Sequence, residues 1–242
     1  MNHDAIKPYG TEADKKTEVA TMFDNIAPKY DFLNRIFSLR IDTLWRKKLI
    51  SILQKHQPKR ILDVATGTAD LAIAAAAIKP ENIQGIDISK EMIAQGEKKV
   101  VAKNLQSIIQ LNIGDAENIQ FEDASFDAIT VAFGVRNFEN LDKGLQEMRR
   151  VLKKDGVLLI LEFSNPHNVI IRWLYYFYFC NVLPKIGAWV SKDARAYSYL
   201  PESAKAFPSG ENMKKILLDN GYKNVTCTTL TFGISTIYTA YH

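Results

Sequence analysis

The stretch Asp63-Val-Ala-Thr-Gly-Thr-Ala-Asp70 is the first in this chain that can do chemistry. Gly67 permits a tight backbone turn, and the helix start that follows offers free N–H groups to a ligand. Twenty residues on, Asp87 stands at the end of the run Ile-Gln-Gly-Ile-Asp-Ile, where its carboxylate can accept hydrogen bonds from both hydroxyls of a ribose. The same carboxylate, with Ser89 behind it, also suits a helix start as a capping group, and the two roles can coexist. A third cluster, Asn112-Ile-Gly-Asp115-Ala116-Glu, sets an acceptor beside a backbone N–H, the pair needed to read the amino group and ring nitrogen of an adenine. A plain polar turn is the alternative there. The fourth cluster, Ala132-Phe-Gly-Val-Arg136-Asn137, brings a cation and an amide together, unless Arg136 is simply solvated.

Such clusters need strands to end on and helices to follow them. After a helical segment, 19–53, short apolar runs alternate with helical patterns: 60–65, 70–78, 83–88, 90–103, 107–113, 126–133, 141–152 and 156–163. The alternation predicts an α/β fold, a doubly wound and mostly parallel sheet with helices on both faces. Sheets of this kind bind ligands outside the carboxyl ends of their strands, where all four clusters fall. The last part breaks the rhythm. A helix over 210–220 is followed by two strand-like runs, 224–232 and 235–241, which turn through Gly233 and add an antiparallel C-terminal strand. Residues 165–208 are an insertion too long for a simple connection, expected to be helical and to cover an active site. Residues 1–18 are expected to form a flexible N-terminus and 19–242 a single domain.

The totals narrow the function classes. With 242 residues, 47% hydrophobic and 24% charged, the chain can bury one sizeable core. Cys180 and Cys227 are its only cysteines and stand far apart, so neither a disulfide framework nor a zinc site is implied, and a reducing, cytoplasmic compartment is expected. The net charge of +4 is spread, without the basic stripe that a nucleic-acid partner calls for. The N-terminus has no apolar export segment. The most apolar stretch, 169–190, is interrupted by Arg172, Pro184 and Lys185, short of the ~20 residues of a membrane span. Its Trp173, Tyr175, Tyr176, Tyr178 and Trp189 suit the inner face of a membrane, a buried lid, or a contact in a homo-oligomer.

A nicotinamide enzyme shares this architecture, but the loop lacks G-x-G-x-x-G, since Ala69 and Ala72 follow Gly67. Asp63 before the loop, the Asp115-Ala116 turn, Asp123-Ala-Ser-Phe-Asp127 leading a strand, and the terminal hairpin together resemble the class I S-adenosylmethionine methyltransferases. Two further stretches narrow the resemblance to the UbiE/MenG family of quinone methyltransferases. They are Tyr30-Asp-Phe-Leu-Asn34-Arg-Ile-Phe-Ser38 with Trp45, and Arg150-Val-Leu-Lys-Lys-Asp-Gly156-Val-Leu-Leu-Ile-Leu-Glu162-Phe-Ser164, with Phe133-Gly-Val-Arg136-Asn137 matching as well. The similarity runs from about Met22 to the C-terminus. Asp42 departs from a common His, Ala69 from a common Gly and Ala132 from a Ser of some members.

The resemblance implies a Rossmann-like sheet of seven strands, S-adenosylmethionine as cofactor, no metal, and cofactor contacts at Thr68, Asp87, Asp115 and Ala116. Gly67 joins them on its turn geometry. It further implies methylation of a ring carbon of a reduced polyprenyl quinone, with demethylmenaquinol ahead of the benzoquinol precursor of ubiquinone, and transient contact with the membrane that holds the tail. A methyltransferase for another acceptor, or a noncatalytic cofactor-binding organiser of a biosynthetic complex, are the other classes. A phenol with a pKa near 10 must shed or share its proton as the carbon–carbon bond forms. Arg136 can stabilise the phenolate but cannot be a neutral base, so a water or carboxylate must take the proton. Asn137 can orient that water or a ring oxygen, Tyr30 can pack on or hydrogen-bond the ring, and His167 near Glu162 is a weaker candidate base.

Overall fold

The computed structural model describes residues 6–166, 168–182 and 194–242. Seven strands form one sheet in the order β3-β2-β1-β4-β5-β7-β6. They are β1 (Arg60–Val64), β2 (Asn82–Asp87), β3 (Ile109–Ile113), β4 (Phe126–Ala132), β5 (Leu152–Phe163), β6 (Lys223–Leu230) and β7 (Ser235–Tyr241). The first five pair in parallel, while β7 runs antiparallel to both β5 and β6. This is the doubly wound α/β class expected, hairpin tail included. Strands β1 and β4 lie side by side near the middle, and the chain runs outward from β1 through β2 to β3 on one side and from β4 to β5 on the other, so the ends of β1 and β4 flank the switch point.

Alternate residues of each strand face opposite sides. Leu62, Val64, Ile129 and Ile160 pack with Leu145 and Met148 on one face, and Ile61, Ile83, Ala128 and Leu159 with Trp45 and Leu49 on the other. Helix α3 (Asp70–Ala75) follows β1, α4 (Lys90–Ala102) follows β2 and α5 (Leu141–Val151) precedes β5.

The N-terminal helical segment is two helices, α1 (Lys15–Phe37) and α2 (Ile41–Leu53). The break falls at Leu39 and Arg40, both left-handed at φ 49° and 63°, where the N–H groups of Ser38 and Leu39 close α1 by donating to the Asn34 and Ile36 carbonyls respectively. Helix α1 starts earlier than expected because Asp14 caps it, accepting from the Thr17 N–H. Ahead of it, the Glu18 carboxylate accepts from the N–H groups of Tyr9, Gly10 and Thr11. Helices α6 (Val169–Phe177) and α7 (Ala194–Ala206) belong to the insertion, and α8 (Glu211–Asp219) precedes the hairpin. Among the described residues, no helix is long and apolar enough to cross a membrane.

Candidate active site

Asp63, at the end of β1, is in register with Thr130 of β4 and is fully buried. It accepts the hydroxyls of Thr130 at 2.7 Å and Thr66 at 2.6 Å, and burial pushes its pKa up to about 6 against these donors. Its role is to tie the first loop to the sheet. Gly67 then takes φ 55°, with open space where a Cβ would stand, and its N–H donates to Asp87 Oδ2 at 2.8 Å. Gly134, after β4, comes so close that a Cβ would lie 2.6 Å from that of Ala65, so only glycine lets the two loops touch.

These loops border a groove that carries the carboxylates of Asp87 and Asp115, with Gly67, Ala116 and Lys16 also in its lining. Asp87 also accepts from the Ser89 N–H at 2.9 Å, but Ser89 itself caps α4 through its hydroxyl, so Asp87 is left to face the groove. Burial pushes its pKa up to about 6, opposed by those backbone donors. Asp115 accepts from Lys16 Nζ at 2.6 Å and from the Glu117 N–H at 2.9 Å, which turns the loop after β3 back on itself. Two carboxylates and an open glycine turn fit an adenosine: a diol for Asp87, an amino group for Asp115, and a close backbone approach at Gly67. Thr68 is not part of the groove lining. The turn at Gly67 sends its hydroxyl the other way, to donate to Asp31 Oδ1 at 2.6 Å and accept from Lys99 Nζ at 3.0 Å.

Beside the groove lies an apolar cavity of about 360 Å³. Tyr30, Phe23, Phe133 and Asn137 border both spaces. The insertion roofs the cavity with Ile171, Leu174 and Tyr175 of α6 and with Tyr199 of α7. Tyr30 keeps its proton, since burial raises its pKa despite its hydrogen bond to Asn34 and the charge of Arg136. Arg136 and Asn137 sit in the turn after β4, and both are buried. Arg136 Nη1 donates to Glu162 Oε1 at 2.7 Å and to the Phe133 carbonyl at 2.6 Å, its guanidinium lies 5.3 Å from the Phe163 ring, and its Nε has no partner. Burial raises the pKa of Glu162, and the Arg136 charge opposes the rise. Asn137 accepts the Tyr199 hydroxyl at 3.1 Å.

The profile of the ubiE/COQ5 methyltransferase family matches residues 11–242. The chain belongs to that family. A protein of Bacteroides fragilis named demethylmenaquinone methyltransferase is 48% identical over 243 aligned residues, 99% of each chain. A protein of Geotalea daltonii named ubiquinone/menaquinone biosynthesis C-methyltransferase UbiE is 46% identical, over 93% of this chain and 97% of its own. The crystal structure of an S-adenosylmethionine-dependent methyltransferase from Aquifex aeolicus shares the fold, with a TM-score of 0.56 and 20% identity over 75% of this chain and 81% of that one.

Within this family member the geometry adds residues that motif spacing left out. Lys16 enters the groove, while Asp42 and Arg46 enter the cavity from α2. Asp42 carried a readable signal, a carboxylate on the stripe Asp42, Trp45, Leu49, Leu53 that is otherwise apolar and buried. Of the aromatic residues assigned to an interface, Trp173 is exposed, Tyr175 and Tyr178 line the cavity, and Tyr176 donates its hydroxyl to Asn165. Trp189 and His167 lie outside the described residues.

Proposed function

We propose that this protein methylates a ring carbon of demethylmenaquinol, using S-adenosylmethionine and giving menaquinol. The observation that carries the reading is the wall shared by a groove that carries carboxylates and an apolar cavity, built from Phe23, Tyr30, Phe133 and Asn137. A charged nucleoside on one side and a greasy aromatic ring on the other can meet only there. The names of the relatives from Bacteroides fragilis and Geotalea daltonii support the same acceptor class.

When bound, S-adenosylmethionine supplies an electrophilic methyl on a sulfonium sulfur. Gly67, Asp87, Asp115 and Ala116, which line the groove, would hold it, and Thr68 would support them from behind through α1 and α4. The cavity takes a bicyclic ring, packed against Tyr30 and the Phe133–Phe163 pair, whose centroids are 4.7 Å apart. Arg136, which lines the cavity, stabilises by its charge the ring oxygen that gains negative character, and Asn137, fixed by Tyr199, orients it. Excluding water and aligning the two reactants supply much of the rate.

The polyprenyl tail must leave the cavity, and α6 offers the exit. Its inner face lines the cavity while Val169, Ile170, Trp173 and Phe177 are 52–70% exposed, a face suited to the surface of the membrane that holds the tail.

The deciding experiment is methyl transfer from labelled S-adenosylmethionine to demethylmenaquinol and to the ubiquinone-type benzoquinol, side by side in detergent under strongly reducing conditions. Methylation of demethylmenaquinol is expected. Turnover of the benzoquinol alone would move the assignment to the ubiquinone branch, and turnover of neither, with cofactor still bound, would remove the quinol reading. Arg136→Leu should lose turnover and keep cofactor binding; full turnover would remove its phenolate role.

A further inference from the structure

The chemistry above leaves the proton of the ring hydroxyl without an acceptor. Among the described residues that line the apolar cavity there is one carboxylate, Asp42. We propose that Asp42 accepts this proton as the neighbouring ring carbon is methylated, an inference that rests on the quinol reading.

A carboxylate costs free energy at a buried position unless it is satisfied and used. Asp42 is 7% exposed, in the first turn of α2, where the positive end of the helix dipole favours it. Oδ1 accepts the Ser38 hydroxyl at 2.6 Å and Oδ2 pairs with Arg46 Nη1. Both oxygens are thus fixed by donors, and each keeps lone-pair capacity for a hydroxyl in the cavity. Trp45, one turn further along α2, touches the Phe133 ring at 6.0 Å, and Phe133 borders the cofactor groove. Arg136 reaches the same cavity from the turn after β4, already paired with Glu162, which is not a lining residue. The other titratable groups of the lining are Arg46 and Arg136 together with Tyr30, Tyr175, Tyr178 and Tyr199. Burial raises the pKa of all four tyrosines, so they keep their protons and cannot compete as acceptors.

The step balances. The ring carbon forms its bond to the methyl group as the carbon–sulfur bond breaks, its electron pair remaining on sulfur, and the positive charge passes to the ring. The ring hydroxyl becomes strongly acidic, and its proton moves to Asp42, leaving a neutral ring ketone and a neutral carboxylic acid. The methylated carbon then loses its hydrogen to water while Asp42 returns its proton to the ring oxygen. The aromatic ring is restored, and one proton is released overall.

Asp42→Asn separates this role from packing. At pH 7 its turnover of the quinol should fall on the order of 100-fold or more, with cofactor affinity unchanged. The deficit should narrow as pH rises toward the phenol pKa of about 10, where the substrate ionises unaided. Without cofactor, the wild-type protein should bind 1-naphthol on the order of tenfold more tightly than 1-methoxynaphthalene, and Asp42→Ala, which removes the acceptor altogether, should lose that preference. Asp42→His, which keeps an acceptor should the amide variant not fold, should retain turnover with a new loss as pH falls through about 6.5. An Asp42→Asn deficit that is constant with pH, a naphthol preference that survives in Asp42→Ala, or Asp42→Asn turnover equal to wild type would overturn the proposal and leave the quinol reading standing. Wild-type protein that methylates neither quinol would overturn both.

Discussion

Replacing Glu162 by Gln should destabilise the fold far more than a surface change, because Arg136 would be left charged and buried without a counter-ion. Glu162 is fully buried and Arg136 is 5% exposed at the side chain, and the pair meets through a single contact, Nη1 to Oε1 at 2.7 Å. Glutamine keeps an acceptor for that contact and for the Phe163 N–H at 2.8 Å, so what is lost is mainly the charge. Breaking a buried pair costs about 3–5 kcal/mol, and the retained acceptor places this variant near the lower end. At about 2–4 °C per kcal/mol for a domain of this size, the melting temperature should drop by about 6–12 °C. Glu162→Leu also strands the Phe163 N–H and should fall nearer the upper end. Arg136→Met leaves the raised pKa of Glu162 opposed only by backbone N–H donors. A carboxyl that holds its proton more tightly folded than unfolded loses stability as pH rises through the interval between the two pKa values, so this variant should weaken from about pH 5 upward relative to wild type. Urea and thermal unfolding across pH 5–8 measure all three. A Glu162→Gln variant within about 1 kcal/mol of wild type would refute the argument that the pair is held against desolvation by its mutual charge.

Cofactor affinity should decline as pH falls below about 6, because Asp87, pushed up to about 6 by burial, then loses the charge that receives the ribose hydroxyls; calorimetry on Asp87→Asn should show weaker and nearly pH-independent binding. Lys16→Met frees Asp115 from a half-exposed ion pair worth up to about 1 kcal/mol, so S-adenosylmethionine should bind up to about fivefold more tightly and with less salt dependence. Weaker binding in that variant would mean that Lys16 holds the ligand rather than competing for Asp115. Trp173→Ser with Phe177→Ser removes two stacked, exposed rings of α6 and should abolish sedimentation with anionic vesicles while leaving the melting temperature within about 2 °C; unchanged co-sedimentation would remove the membrane role of this face.

The strand ends were legible because periodicity marks where a buried strand stops, and in a doubly wound sheet chemistry sits just beyond that point. Asp63, Gly67, Asp87 and Asp115 all follow from this, needing no knowledge of the rest of the chain. Thr68 was named on the resemblance, not on a strand end. It adjoins Gly67, but a left-handed glycine reverses the direction of the next side chain, and the sequence does not state which side the turn takes. The cavity was less legible for another reason. Lys16 meets Asp115 across 99 residues and Tyr199 meets Asn137 across 62, and contacts so distant depend on how α1 and the insertion settle on the sheet. The aromatic run in α6 had the same ambiguity: period alone marks an amphipathic helix, and only packing decides which face, Tyr175 or Trp173, turns to the cavity.

Helix α1 contributes to both spaces through adjacent rows of its surface. Val19 and Phe23 face the groove, Met22, Ile26 and Asn34 face the cavity, and Phe23 and Tyr30 reach both. Residues four apart stack along one side of a helix, and with 3.6 residues per turn two such rows lie side by side, so a single helix can wall two ligands that must touch. The helix is fixed there by polar contacts to α4 and its preceding loop: Ser89 Oγ donates to Asp24 at 2.6 Å, and Lys99 Nζ bridges Asp31 at 2.7 Å and the Thr68 hydroxyl. Thr68 therefore joins the Gly67 turn to the wall of the apolar cavity through Asp31 and Lys99. Because the same helix also carries Lys16 to Asp115, any shift of α1 that opens the groove at its N-terminal end must displace the Tyr30 wall as well, unless the helix bends at Pro28.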